Sequence, residues 1–509
     1  MTADTGSDRT PDLTYDVVVI GGGPVGENVA DRAGRTGLTV AIVESELVGG
    51  ECSYWACMPS KALLRPGAAL AAARDVAGVS ASADLDAAAV LATRDTFTSD
   101  WDDAGQVQWL DGAGIALLRG HGRLVGPKLV EVSPSAASDT FDAPAHLVQA
   151  RHAVVVATGS VPVLPDVPGL LDAGPWGSRE ATSAQQVPES LVVLGGGVVA
   201  CEMATAYADL GASVTLLARS GLLRPFEAFA GEQVGAGLRE GGVDVRLGAS
   251  PTRVTRHDDG SVTVAFTDPQ GEHEVTASEV LAATGRVPRT DDVGLDAVGL
   301  TDLRRGLPVG DDLLVDGVEG GWLFATGDVT GRVATTHQGK YQGRVAGDVI
   351  AARFGSPDAS GDSVPAPATP DGRAAADAVA PWSRFAASAD HTAQTQVVFT
   401  RPQVASVGLT EQAAHDAGLD VRTVSFGLGD VAGGSLMGTH YAGTAQLVVD
   451  EARRVVVGAT FVGPEAGEML HAATIAVVGE VPLDRLWHAV PAYPTVSEVW
   501  LRLLETYGL

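Results

Sequence analysis

Lysine and cysteine are nearly missing from this chain of 509 residues: lysine stands only at 61, 128 and 340, cysteine only at 52, 57 and 201. Zinc wants four ligands, and a lone CxxxxC with one distant cysteine offers only two obvious ones. Positive charge is short as well. Lys+Arg total 34 against 63 Asp+Glu, a formal charge of −29 that argues against a nucleic-acid or anionic-membrane partner. No apolar run reaches the length of a membrane span, and the opening MTADTGSDRTPD is polar and acidic, unlike a signal peptide. These absences point to a reducing cytoplasm, where a disulfide is usually catalytic.

The length and the 45% hydrophobic content allow several cores, so three or four domains are expected. Two of the cysteines and one of the lysines fall in one stretch, Gly49 to Lys61, GGECSYWACMPSK. Five residues apart on a regular helix, two Cα atoms lie about 8 to 9 Å apart, beyond the roughly 7 Å a disulfide tolerates. Cys52 and Cys57 can pair only if the chain at Cys52 is a loop or distorted turn leading into a helix. Gly49 and Gly50 supply that freedom, and Pro59 suits a first helical turn. A helix start also stabilises a thiolate, which would poise one cysteine for exchange. A structural disulfide, two buried thiols or half a zinc site are the alternatives that this stretch alone leaves open. Lys61 is a less casual choice than most lysines, since arginine carries nearly all the positive charge and lysine reaches buried partners differently.

In chain order, residues 1–12 read as disordered. Then a buried strand, Gly21-x-Gly23-x-x-Gly26, an amphipathic helix and a second strand ending in Glu44 make a dinucleotide fingerprint: the glycines admit a pyrophosphate, and the acid takes a ribose hydroxyl. Residues 62–115 read as mostly helical and 115–156 as short strands, closing on Thr158 and Gly159. A second fingerprint starts at Leu191, with Gly195, Gly197 and Ala200 in the third place. Its second strand ends in Ala218 and Arg219, with Arg224 following, which suits the 2′-phosphate of NADPH better than a bare ribose, although NADH remains open. Two such folds imply two nucleotides, most economically a flavin and a nicotinamide. GWLFATGDVTG places Asp328 at a strand end where ligands gather. Residues 355–392 read as a flexible insertion, and about 393–509 alternate strands and helices in an α+β pattern that can serve as a subunit interface.

At this point the chain resembles the pyridine nucleotide-disulfide oxidoreductases, the flavoproteins that include dihydrolipoamide dehydrogenase, glutathione reductase and mercuric reductase. GGGPVG, GGxCxxxxCxPSK, ATGS, the second glycine loop, ATGRVP, ATGDV, VVFTRPQVASVGLTE and AYPTVSE occur in family order. The resemblance implies an α/β fold with two Rossmann-like domains, for FAD and NAD(P), plus a C-terminal α+β dimerisation domain. Its implied boundaries are 13–180 for the first part of the FAD domain, 181–284 for the NAD(P) domain and 285–352 for the second FAD or central part. A linker or insertion then occupies 353–392 and the interface domain 393–509. It also implies a homodimer with a small-molecule electron acceptor. Cys52 looks like the interchange thiol and Cys57 like the thiol beside the flavin, with Lys61 and Glu202 paired near flavin N5. Gly21, Gly23, Gly26, Glu44, Lys61, Gly122, Thr158, Gly159 and Asp328 correspond to FAD contacts. Gly195, Gly197, Val199, Glu202, Arg219, Arg224 and Gly285 correspond to NADPH contacts. No resident metal is expected. Cys201 reads as a small buried hydrophobe.

The chain departs from the family where a His-Pro pair is usual: Tyr493-Pro494 stands there, with Glu498 kept, and an ordinary tyrosine is a poor base at neutral pH. Mercuric reductase is similar in carrying tyrosine at that place, but this chain ends ETYGL without its terminal cysteines. His488, five residues earlier, is a candidate substitute base that reads better as an ordinary histidine. Tyr54 and Trp55 suggest an aromatic-lined approach to the cysteines, and Glu51 replaces a common threonine, a charge that works against a neighbouring thiolate. The reading is an FAD enzyme taking hydride from NADPH and passing electrons through Cys57 and Cys52 to a disulfide-type acceptor. Its rivals are a diaphorase that reduces quinones or metal ions directly from flavin, and a dihydrolipoamide-dehydrogenase-like subunit of a larger complex.

Overall fold

A computed structural model describes residues 10–135, 144–356 and 370–509. The chain divides into two compact units, one of 1–54, 98–161 and 286–390, the other of 55–97, 162–285 and 391–509.

In the first unit, the unbroken apolar runs of the first fingerprint become strands buried on both faces, as parallel strands must be. Leu13–Ile20 lies between Val40–Glu44 and His146–Val156, with Val17 opposite Val40 and Ala153. Ala116–Arg119 and Leu323–Ala325 extend the parallel set, and Leu129–Ser133 and His121–Gly126 add an antiparallel pair. The helices Pro24–Gly34 and Thr336–Phe354 cover one face. They approach closely because a Cβ on Gly343 would lie 2.8 Å from the Val25 carbonyl oxygen, and Arg32 locks them through a two-bond pair to Asp348 at 2.7 and 2.8 Å.

Two expectations of disorder need correction. Of residues 1–12, 1–9 lie outside the described residues, but Asp12 is fixed: its N–H donates to the Leu147 carbonyl and its carboxylate accepts the Leu147 N–H, both at 2.8 Å. Of the 353–392 insertion, 357–369 lie outside the described residues, while Pro370–Ala378 is a helix. Ala376, Phe385 and Ala387 are buried in the same core as Val349 and Ile350. The sequence read as loose because these apolar residues are few and widely spaced. Burying each still contributes, up to roughly 1.5–3 kcal/mol for one as large as phenylalanine.

The second unit holds a four-stranded parallel sheet in the order Asp244–Leu247, Ser213–Ala218, Ser190–Leu194, Glu279–Ala282. A three-stranded antiparallel sheet, Ser250–Arg256, Val262–Asp268 and Gly271–Ala277, accompanies it. Its C-terminal part is a five-stranded antiparallel sheet with Val455–Gly463 at its centre, all nine residues buried. The helices Ala466–Val478 and Val499–Tyr507 belong to the same part. Two Rossmann-like sheets and an α+β C-terminal domain are thus present, as expected. The helix Cys57–Asp75 clusters with this unit and not with the first nucleotide fold: Leu63 and Leu64 share a core with Ala200, Met203, Ala204 and Tyr207 of the helix Val198–Asp209.

Candidate active site

The first unit gathers one set of candidate residues. Gly21, at φ +110°, turns the chain so tightly that a Cβ there would meet the Ala157 carbonyl at 2.4 Å, and a Cβ on Gly26 would meet the Gly21 carbonyl at 2.0 Å. Gly23 keeps an open side at the start of the helix Pro24–Gly34, where unpaired amides and the helix dipole favour a phosphate. Glu44 reaches back to this turn, Oε2 accepting the Gly22 N–H and Oε1 the Glu46 N–H, both at 2.7 Å. Burial pushes its carboxyl above the ordinary range, and those two amides pull it back. Gly122 sits against Val43 and Ile20, next to the strand that ends in Glu44. Thr158 donates to the Arg289 carbonyl, Gly159 has φ +74°, and Asp328 accepts the Ser160 hydroxyl at 2.7 Å.

The same unit carries Cys52. Gly49 donates its N–H to the Gly22 carbonyl at 2.8 Å, and Gly50 brings its backbone against Gly23, so the cysteine stretch begins on the first glycine turn. Cys52 lies within a short helix, Gly50–Tyr54, and the break comes later, at Trp55 and Ala56. The expected loop at Cys52 is therefore displaced by three residues. Positive φ at both Gly49 and Gly50 makes the turn before the cysteine, which lets helix resume at once. Tyr54 does not line an approach. It is 3% exposed, its hydroxyl donates to the Val48 carbonyl, and burial pushes that hydroxyl up to about 12.

In the second unit Cys57 is the first residue of a nineteen-residue helix, where backbone N–H groups lack helical partners. One turn on, Lys61 donates to Glu202 Oε2 at 2.8 Å and to Ser60 Oγ at 3.2 Å, with its ammonium 4.9 Å above the Phe399 ring. Glu202 is 3% exposed and spends its second oxygen on the Phe399 N–H at 2.9 Å. The pair joins the Cys57 helix to the helix Val198–Asp209, which opens on the second glycine loop. There Gly195 has φ +132°, a Cβ on Gly197 would meet nothing, and Val199 stands half-buried in the first turn. Gly285 is equally open. Leu223 donates to the Gly196 carbonyl at 2.8 Å, folding the segment of Arg219 and Arg224 back onto that loop. Both arginines are exposed and, among the described residues, neither has a hydrogen-bond partner. Cys201 is fully buried, and burial with the neighbouring Glu202 pushes its thiol up to about 12.

Also in this unit, Tyr493 is 76% exposed, while Glu498 is 8% exposed and its Oε2 has no hydrogen-bond partner among the described residues. Arg502 is its nearest cation, at 3.8 Å. His488 is exposed and its ring has no partner among the described residues. The C-terminal part has further exposed apolar side chains: Leu436, Met437, Ile475, Trp487 and Val490.

Sequence reasoning missed three polar groups of the first unit. Glu27 Oε1, Thr326 Oγ1 and Thr335 Oγ1 are buried without hydrogen-bond partners among the described residues. Glu27 stands in the first turn after the glycine loop, Thr326 two residues before Asp328, and Thr335 at the start of the helix packed on Val25. The glycine turn, the acid at its strand end and the orphaned hydroxyls together fit a bound dinucleotide, and the open second loop fits another. No spacing rule marks a lone threonine; only its burial does.

Comparison with known proteins agrees. Residues 15–343 match the family described as pyridine nucleotide-disulphide oxidoreductase, and residues 395–503 match its dimerisation domain, which supports a homodimer. The chain is 31% identical to a dihydrolipoyl dehydrogenase of Halobacterium salinarum, over 96% of this chain and 95% of that one. It is 28% identical to a mercuric reductase of Staphylococcus aureus, over 96% and 82%. Its fold is similar to that of the HOCl-induced flavoprotein disulfide reductase RclA from Escherichia coli, solved as a Cu(II) complex, with a TM-score of 0.76 at 21% identity over 97% and 99% of the two chains. The chain belongs to the pyridine nucleotide-disulphide oxidoreductases, FAD-dependent enzymes of NAD(P)H with a redox-active cysteine pair.

Proposed function

We propose that this enzyme takes its hydride from NADPH and reduces a disulfide-type acceptor through Cys57 and Cys52. The observation that carries the reading is the half-buried Lys61–Glu202 pair at 2.8 Å, which ties the helix starting at Cys57 to the helix starting at the nicotinamide loop. Bound FAD supplies the two-electron relay between nicotinamide and cysteines. Arg219 and Arg224 hold the 2′-phosphate, and the open faces of Gly197 and Gly285 admit the nucleotide backbone. Glu202 holds the Lys61 ammonium in an ion pair, and positive charge there favours a thiolate at Cys57, one helical turn away.

The electron balance is that of thiol–disulfide exchange. NADPH and one proton convert the Cys52–Cys57 disulfide to the dithiol. The Cys52 thiolate then attacks one acceptor sulfur and expels the other as a thiol. Cys57 attacks Cys52 and releases the second thiol, restoring the disulfide. Tyr493 and Glu498 of one subunit face the cysteines of the other in this arrangement. Tyr493 donates a hydrogen bond there, a weaker acid–base device than the usual histidine. Cys201, fully buried, is not a third thiolate for handing over a soft metal ion.

That tyrosine favours one second reading, a diaphorase that sends electrons from flavin straight to quinones or metal ions. The test is an anaerobic NADPH titration followed in the visible. A long-wavelength thiolate–flavin band after two electrons supports the cysteine route, and immediate bleaching refutes it. Cys52→Ser separates the readings: acceptor reduction vanishes under the first and persists under the second.

A further inference from the structure

The residue before Cys52 is an acid with a cation in reach. Glu51 Oε2 lies 3.8 Å from Arg286 Nη2, with the two side chains 30% and 26% exposed. Ser160 holds Arg286 by two hydrogen bonds: Nε donates to Ser160 Oγ at 2.8 Å and Nη2 to the Ser160 carbonyl at 2.7 Å. The Ser160 hydroxyl in turn donates a hydrogen bond to Asp328 Oδ2 at 2.7 Å. One guanidinium thus stands between two carboxylates, one adjoining Cys52 and the other on the turn after Leu323–Ala325. A planar guanidinium gripped by a serine on two edges has little freedom to swing, so its distance from Glu51 is fixed by the fold.

We propose that Glu51 and Arg286 are positioning residues that set the redox poise of Cys52, a reading that rests on Cys52 being an exchange thiol. A carboxylate on the preceding residue opposes a thiolate at Cys52; the guanidinium beside it cancels most of that opposition. Because the reduced pair carries the thiolate, whatever favours that charge stabilises the dithiol over the disulfide. The two side chains therefore act with opposite sign on the same equilibrium. Mere bracing of the helix would make both substitutions act with the same sign.

The experiment uses the flavin-loaded protein, equilibrated anaerobically against a redox dye, with iodoacetamide alkylation of the NADPH-reduced form at one pH as a second readout. Glu51→Gln is expected to shift the dithiol/disulfide equilibrium toward dithiol by about tenfold, roughly 30 mV for two electrons, and to speed alkylation of Cys52. Arg286→Gln is expected to shift it the other way, and the double variant to return near wild type. An unchanged potential in Glu51→Gln overturns the inference, as do shifts of one sign in both variants. If Arg286→Gln loses its flavin, Glu51→Gln alone decides. Should the wild type form no long-wavelength band on reduction, the underlying cysteine reading fails instead, and the two failures remain distinct.

Discussion

Glu27 offers the sharpest quantitative check on the first nucleotide fold. Its carboxyl sits in the first turn of Pro24–Gly34 with Oε1 buried and unpartnered, facing Lys340 from the helix Thr336–Phe354 and Glu44 from the neighbouring strand, with the Tyr54 hydroxyl in electrostatic reach. Burial pushes it from 4.5 up to about 7; Lys340 pulls it down and Glu44 pushes it further up. Below about pH 4.5 the folded and unfolded chains both hold the proton and burial has no ionic cost. Between 4.5 and about 7 only the folded chain holds it, so stability falls as pH rises, and the loss is complete above 7. At roughly 1.4 kcal/mol per pH unit the full loss is about 3 kcal/mol. Glu27→Gln mimics the protonated acid at every pH. Thermal unfolding with saturating FAD should therefore find the variant more stable than wild type near pH 8, by about 3 °C at roughly 1 °C per kcal/mol for a chain of 509 residues. Near pH 5 the two should coincide. A difference that does not change between those pH values would refute the reasoning.

Two further outcomes are expected. Each of Arg219→Ala and Arg224→Ala should raise KM for NADPH by about tenfold or more while leaving KM for NADH unchanged, since a charge-assisted hydrogen bond contributes roughly 1.5–3 kcal/mol; steady-state kinetics with both nucleotides measures this. Glu202→Ala strands Lys61 and the Phe399 N–H. Breaking a buried pair costs several kcal/mol, but the Lys61 side chain is 34% exposed, so about 2 kcal/mol is expected, read as a lower Tm together with a weakened thiolate–flavin band.

Much of this was legible in the chain itself. Gly21, Gly26 and Gly195 are required by close backbone approaches that no side chain survives, and periodic apolar runs leave little choice between strand and helix. The two nucleotide folds and their order therefore follow from local chemistry, whereas the redox reading of the cysteine pair took the order of motifs along the whole chain. Lys61 and Glu202 lie 141 positions apart, yet motif order was enough to pair them, and they meet at 2.8 Å.

Side-chain direction and burial were not legible, because they depend on what the rest of the chain brings alongside. Tyr54 and Trp55 look equally like an aromatic lining in sequence, but packing turns Tyr54 inward to Val48. Residues 353–392 read as linker, yet within them Asp390 accepts from Gln338 and Gln342, both at 2.8 Å, at the helix beside Asp328. The charge on Glu27, the orphaned hydroxyls of Thr326 and Thr335 and the arginine beside Glu51 have no sequence signature, since desolvation and long-range pairing exist only once the chain has folded. Sequence alone determined which chemistry this protein carries; the tertiary structure decided which groups that chemistry feels, because electrostatics acts through space and not along the chain.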